Sequence, residues 1–247
     1  MSDVIKFRRE GAIGIVAIEE RESKNTFSKR FIEGIMEVFD QIGKMQDLKV
    51  VVVHGYDNYF CCGGTKEELV GIFEGRLQFN DLNFYDILLR CEIPVIAAMQ
   101  GHALGGGLAF GSYADMIVLG RECLVAANFM KYGFTPGMGA TYMIPLKFGS
   151  MLGNEMLFSA RNYSGEEIRE RGAPFKIVKK DEVIATAMKM AQELADKPRL
   201  SLKVLKEHLT RDIRATLPKI IEAEIAMHKI TFAQPEVRKR IEEMFGK

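Results

Sequence analysis

The rhythm of apolar and polar positions changes several times along this chain. Val4 to Phe7, a turn at Gly11 and the run Ile13-Gly14-Ile15-Val16-Ala17-Ile18 read as a β-hairpin. Phe27, Phe31, Ile35 and Phe39 then recur every four residues, with Ile32 and Met36 beside them. That spacing predicts an amphipathic helix starting near Ser28. From Lys49 to His54 the apolar content is continuous rather than alternating, which predicts a strand covered on both faces. Residues 66–90 read as helical, but Gly71, Glu74-Gly75-Arg76 and Gln78-Phe79-Asn80-Asp81 interrupt the pattern. A mobile helical lid and a plain pair of surface helices fit that stretch equally. Ile93 to Met99 is a further strand, Leu104 to Tyr113 a helix rich in small residues, and Asp115 to Leu119 a strand.

Strands alternating with helices indicate an α/β domain. Beyond Thr135-Pro136-Gly137-Met138-Gly139 the pattern turns mostly helical. Candidates run from Gly149 to Ser159, from Ser164, from Asp181 to Asp196, from Leu200 to Arg214, from Leu217 to Phe232 and from Pro235 to Phe245. No low-complexity linker precedes them, so they extend the core and pack on it or on a neighbouring subunit.

Composition narrows the function classes. The 247 residues are 47 % hydrophobic and 27 % charged, as in ordinary globular proteins, and 34 basic residues against 33 acidic ones leave a net charge of +1. Such a balance gives no field for nucleic acid. The N-terminus has no apolar signal core, and no stretch is long enough to span a bilayer. Cys61, Cys62, Cys91 and Cys123 show no metal-ligand or disulfide spacing, which fits a reducing cytoplasm.

Two glycine-rich turns carry the candidate chemistry. Phe60-Cys61-Cys62-Gly63-Gly64-Thr65 follows the apolar strand Val50 to Val53. Gly101-His102-Ala103-Leu104-Gly105-Gly106-Gly107 follows the second apolar strand. Glycine at a strand-to-helix bend serves tight packing, phosphate binding or the aiming of a free backbone N–H. Two such N–H groups aimed at one point would hold the negative charge of a thioester enolate. A dinucleotide reading is disfavoured, because Gly101 through Gly107 does not give GxGxxG.

Taken together with Lys24-Asn25-Thr26-Phe27-Ser28 and Gly133-Phe134-Thr135-Pro136-Gly137-Met138-Gly139-Ala140-Thr141, these turns resemble the enoyl-CoA hydratase (crotonase) superfamily over nearly the whole chain. The resemblance implies a crotonase-type ββα spiral core over residues 1–195. It also implies a helical C-terminal trimerisation extension over 196–247, which completes the active site and the oligomer interface. The oxyanion N–H groups would belong to Gly64 and Gly106. Family hydratases carry two glutamates that handle water, and the matching positions here are Ala109 and Phe129. Neither can move a proton, so hydration by the usual pair is not supported.

Gly55-Tyr56-Asp57-Asn58-Tyr59-Phe60 and Ala127-Asn128-Phe129-Met130-Lys131-Tyr132-Gly133 look closest to the decarboxylating homologues of polyketide β-branching cassettes. That likeness implies decarboxylation of 3-methylglutaconyl to 3-methylcrotonyl on an acyl carrier protein, without a cofactor beyond the carrier's phosphopantetheine arm. His228 falls where those relatives carry a functional histidine. Their lysine falls on Ile72 or on Gln78, and Gln78 can hydrogen-bond a carboxylate without neutralising it. Lys66 or Arg76 could then substitute. Asn25 would sit near the acyl carrier, and Asn80, Tyr85, Asn128 and Tyr132 would line the acyl pocket. His102, His54 and His208 read as structural or surface groups, and Cys61 and Cys62 lack a histidine to activate them. Family members are trimers or dimers of trimers. Lys29-Arg30 or Arg211 to Arg214 could receive an acidic carrier protein. An enoyl isomerase using the same oxyanion pair and a non-catalytic carrier-binding protein are the alternative readings.

Overall fold

Continuous apolar strands need cover on both faces, and the fold supplies it. The structure, a computed structural model, describes residues 2–76 and 84–245. Its strands are β1 (Ile5–Glu10), β2 (Ile13–Ile18), β3 (Val50–His54), β4 (Tyr59–Cys61), β5 (Val95–Met99), β6 (His102–Leu104), β7 (Met116–Gly120), β8 (Leu124–Ala126), β9 (Tyr163–Ser164) and β10 (Lys176–Val178). Its helices are α1 (Lys29–Lys44), α2 (Lys66–Phe73), α3 (Ile87–Arg90), α4 (Gly106–Ser112), α5 (Ala140–Phe148), α6 (Ser150–Ser159), α7 (Gly165–Glu170), α8 (Val183–Ala195), α9 (Arg199–Thr231) and α10 (Pro235–Met244).

One sheet runs β1-β2-β3-β5-β7-β10 and is parallel except for the opening hairpin, whose register pairs Ile5 with Ile18. Val50 and Val52 of β3 face α8, where Val183, Ala187, Ala191 and Ala195 recur every four residues. The alanines let the helix lie close to the sheet. Val51 and Val53 point the other way, into a core shared with Phe31, Ile35 and Val38 of α1. Both faces of the strand are therefore dry, as its unbroken apolar run requires. Ser28 caps α1 by accepting from the Phe31 N–H.

A second sheet, β4-β6-β8-β9, was not expected from the pattern. Its strands hold only two or three residues, too few to show a period. Consequently the predicted helix from Leu104 is divided: His102–Leu104 is a strand, and the helix proper starts at Gly106. The strand immediately before the first glycine turn is β4, not β3. Helix α5 was also missed, because Pro145 lies inside it.

The predicted break between Arg214 and Leu217 is absent. α9 is one helix of 33 residues with Pro218 inside. An interior proline costs about 3 kcal/mol. Anchors on both sides of it hold the helix together. Before it, the buried Lys206 ammonium donates to the Leu88 and Ile93 carbonyls at 3.0 and 3.1 Å and pairs with Asp115 at 2.8 Å. Arg214 donates to the Leu89 carbonyl at 2.6 Å. Beyond it, Glu224 and His228 are buried.

Removing one partner of a buried ion pair strands the other. Lys206→Met should lower the unfolding free energy by about 3 kcal/mol. The exposed Lys44, which pairs with Asp40 one helical turn away, should change it by under about 0.5 kcal/mol when replaced by Met. Urea denaturation of both variants checks the contrast.

Candidate active site

Parallel pairing of Tyr59 with His102 and of Ala103 with Val125 brings the C-terminal ends of β4, β6 and β8 to one side. The turns at Cys62-Gly63-Gly64, Gly105-Gly106 and Ala127-Asn128-Phe129 leave from that side, where ligands of parallel sheets gather. The first two turns touch. A Cβ on Gly107 would lie 2.0 Å from the Cys61 carbonyl oxygen, so no larger residue fits. Gly105 has φ +54°, and a Cβ there would meet the Asn128 Oδ1 at 2.6 Å.

Gly106 is the first residue of α4, whose N–H has no acceptor within the helix. Gly64 directly precedes Thr65, the N-cap of α2. Neither N–H has an acceptor among the described residues. Both glycines line one cavity of about 510 Å3. The positive ends of two helix dipoles reinforce the same point.

Apolar groups form most of the wall, including Phe27, Leu69, Phe134, Met138 and Phe245. Phe129 lines it too, and Ala109 is fully buried, so neither hydratase position offers a carboxylate. Asn128 and Tyr132 line the cavity. Tyr132 stacks on Phe134, and burial raises its phenol above the ordinary range. Glu68 is the carboxylate nearest the Gly64 turn, its Oε2 lying 3.7 Å from where a Gly64 Cβ would be. It accepts from the Thr65 N–H at 2.9 Å in a capping box, and burial raises its pKa. Burial pushes the Cys62 thiol up to about 11 against the opposing pull of Lys24, which removes it as a nucleophile.

Asn25 does not reach the cavity. Its amide donates to the Ile18 and Phe60 carbonyls at 2.9 and 3.0 Å and accepts from the Glu20 N–H at 2.8 Å. Every polar atom of the side chain is committed to the main chain around φ +55° at this residue. Asn25 thus shapes the first turn rather than contacting substrate. His102 is structural as well, its Nδ1 accepting from the Leu124 N–H at 3.0 Å. Gln78 and Asn80 lie outside the described residues, as do the other residues of 77–83 in the middle of the stretch read as a lid or helix pair. Of the two substitute cations, Lys66 lines the cavity, whereas Arg76 is bound to Glu74.

His228 and Tyr85 occupy a small chamber next to the main cavity, together with Gly137, Met138 and Glu224. Met138 lines both spaces and forms the wall between them. The His228 Nε2 sits 2.6 Å from the Thr135 carbonyl, which makes that nitrogen the donor. Burial pushes the imidazole down to about 4, against the pull of the Thr135 and Pro136 carbonyls, so it is neutral near pH 7. Burial likewise lifts the Tyr85 phenol to about 12.

Glu224, one turn before His228, was not singled out from sequence. Its carboxylate accepts from the Gly139 N–H at 2.7 Å, the Thr141 N–H at 2.9 Å and the Thr141 hydroxyl at 2.6 Å. Thr231 adds a contact to Thr135 at 3.2 Å. Glu224, His228 and Thr231 stand at i, i+4 and i+7 on one face of α9 and together hold the 135–141 turn. The i, i+4 spacing was the available signal. A carboxylate inside an otherwise apolar face was the second.

An unfolded histidine takes its proton near pH 6.5, and His228 in the folded chain only near 4. Between those values the unfolded state binds more protons. Stability from this group is therefore whole above pH 6.5 and falls as the pH drops toward 4. Wild type should lose about 2 kcal/mol more than His228→Gln between pH 7 and pH 5. Urea midpoints across that range measure the difference.

Known proteins share this chain's fold and much of its sequence. Over 237 residues the chain is 48 % identical to the bacillaene synthase decarboxylase PksI of Bacillus subtilis, covering 96 % of this chain and 95 % of that one. A solved chain from a dehydratase/decarboxylase couple of polyketide β-branching superposes with a TM-score of 0.98. It is 46 % identical and covers 99 % of this chain and 100 % of its own. The ECH2 decarboxylase domain of CurF from Lyngbya majuscula gives a TM-score of 0.95 at 41 % identity, covering 98 % and 99 %. The enoyl-CoA hydratase/isomerase model matches residues 8–246, and the chain belongs to that family.

Proposed function

We propose that this chain removes the distal carboxylate of a 3-methylglutaconyl thioester on an acyl carrier protein, leaving the 3-methylcrotonyl thioester. The observation that carries the reading is the pair of unclaimed N–H groups of Gly64 and Gly106 on one apolar cavity, with Ala109 and Phe129 at the hydratase positions. The decarboxylases among the relatives support it.

The chemistry follows from that pair. The bond from C4 to the carboxylate breaks and carbon dioxide leaves. Its electrons pass through the double bond to the thioester oxygen, giving a dienolate. Two N–H donors fixed before the reaction hold that charge without reorganising, and loss of one such donor typically costs ~10²–10³ in rate. The unsaturated thioester is its own electron sink, so no cofactor enters the step. Lys66, on the cavity wall, is the cation that draws the departing carboxylate into place, in the role of the lysine whose position falls here on Ile72 or Gln78.

A proton must then reach C4. His228 supplies the route in this reading. Its Nε2 proton leaves the Thr135 carbonyl and passes to C4, while Nδ1 takes up a proton from solvent, so the imidazole ends neutral. The Met138 side chain moves aside to open the way. An unbranched thioether gives that motion little resistance. The apolar wall disfavours the charged carboxylate of the substrate more than the dispersed charge of the dienolate, which favours the forward step.

The same reading makes the chain a cytoplasmic homotrimer or dimer of trimers, with residues 196–247 as the extension that joins subunits. Leu200, Val204, Leu205 and Leu209 form an exposed apolar stripe on α9, and a patch of that kind calls for a partner surface. Among the described residues no helix is long and apolar enough to cross a membrane.

Mass spectrometry of the loaded carrier protein tests the reaction. Wild type should remove a mass equal to carbon dioxide, and His228→Ala should slow that loss by ~10²–10⁴, the usual worth of a positioned proton donor. An unchanged acyl mass would sink the decarboxylase, and a shifted double bond at constant mass would install the isomerase. Light scattering tests the assembly: Leu205→Glu combined with Leu209→Glu should turn a trimer into monomers.

A further inference from the structure

The cavity mouth has two unlike shores. One side carries Glu22, Lys24, Lys66 and Glu67, two cations against two carboxylates. The other opens onto a second hollow of about 530 Å3 whose lining includes Lys131, Arg161 and Arg240 and no carboxylate. Lys131 and Asn162 line both spaces, so the hollow is continuous with the mouth. Arg161 is held by Glu167 and lies 3.6 Å over the Tyr163 ring, which presents its guanidinium in a fixed place. Arg240, on α10, donates to the Lys131 carbonyl at 3.4 Å and has no carboxylate within 4.0 Å among the described residues. Two large apolar side chains stand in the same shelf: Phe158, 80 % exposed, and Met130, 39 % exposed.

The basic clusters that stand out in the sequence are spent elsewhere. Arg30 pairs with Asp3 and Glu22, and Lys29 with Glu33. Arg214 is turned inward to the Leu89 carbonyl, and Arg211 pairs with Asp212. Neither cluster adjoins the mouth with unopposed positive charge.

We propose that the Met130–Lys131, Phe158–Arg161 and Arg240 shelf is where the acidic carrier protein lands while its arm enters the cavity. This rests on the carrier-bound substrate proposed above. Positive groups around exposed apolar ones match an acidic amphipathic helix, whose carboxylates meet Arg240 and Lys131 while its apolar edge covers Phe158. Adjacency to the mouth sets the direction of entry. The arm passes over Asn162 and Lys131 toward Gly64 and Gly106.

Steady-state kinetics on two substrates test the shelf: the glutaconyl group on the carrier protein, and the same group on free pantetheine. Arg240→Glu should raise KM about tenfold for the carrier-bound substrate at low salt, leave kcat unchanged, and leave KM for the pantetheine thioester unchanged. High salt should shrink that difference. Phe158→Ser should raise the carrier KM at both salt concentrations, and Lys29→Glu, which does not line the mouth, should do nothing. An equal effect of Arg240→Glu on both substrates would overturn the proposal, as would an unaltered carrier KM. So would a lower light-scattering mass for Phe158→Ser, which would assign that residue to a subunit contact. A wild type inert on both substrates would defeat the proposed reaction instead. Anisotropy of a fluorescent carrier protein would then decide the shelf alone, by whether Arg240→Glu weakens binding.

Discussion

The site depends on the contact between two turns at Gly107 and the Cys61 carbonyl. Parallel pairing of β4 with β6 aligns the turns, and the missing side chain at Gly107 lets them close. Everything that follows in the mechanism needs that closeness, since two N–H groups can share one oxygen only when their backbones touch. Short strands suffice here because they are braced from outside. Asn25 ties the first turn to β2 through the Ile18 carbonyl, and the Phe27 N–H donates to the Gly63 carbonyl at 2.8 Å. The Phe27, Phe31, Phe84 and Phe110 rings pack edge to face or tilted behind it.

Helix α9 braces the other wall. Its inner face fixes the 135–141 turn through a carboxylate, an imidazole and a hydroxyl, while its opposite end is anchored through Lys206 to the start of β5. One continuous helix therefore ties the large sheet to the cavity wall formed by Met138. Burial explains the electrostatics at this wall. The Glu224 carboxyl is pushed up by desolvation and drawn down again by its three donors, and His228 is kept neutral by the same dryness. A charged histidine would have to be hydrated there, and the chamber of about 10 Å3 has little room for water.

Much of this was legible in the residues. The period-four phenylalanines marked α1, the unbroken valines marked β3, and the two glycine turns fall on one cavity. What stayed hidden has physical causes. Two- and three-residue strands leave no periodic trace, so the second sheet was invisible. Pro218 reads locally as a break, yet tertiary anchors on both sides outweigh one lost hydrogen bond. Asn25 looked like a ligand-facing polar group, because a sequence does not reveal that nearby main-chain carbonyls and the Glu20 N–H claim all its valences. His228 lies in a chamber beside the cavity, and Met138, a residue without polar chemistry, separates it from the glycines.

The donors that would hold the enolate charge are main-chain groups, and this has a consequence for how such a protein changes over generations. A side-chain catalyst disappears with one codon. An N–H at Gly64 or Gly106 persists under every replacement except proline, provided the fold tolerates the new side chain. That proviso exposes the charge-holding device to point mutation at Gly106 and Gly107, where an added Cβ would meet Phe27 at 2.7 Å and the Cys61 carbonyl at 2.0 Å. It is far less exposed at Gly64, where the nearest neighbour would be 3.7 Å away. Lineages that keep this backbone can alter which proton moves, or which bond breaks, without reinventing the means of stabilising the result.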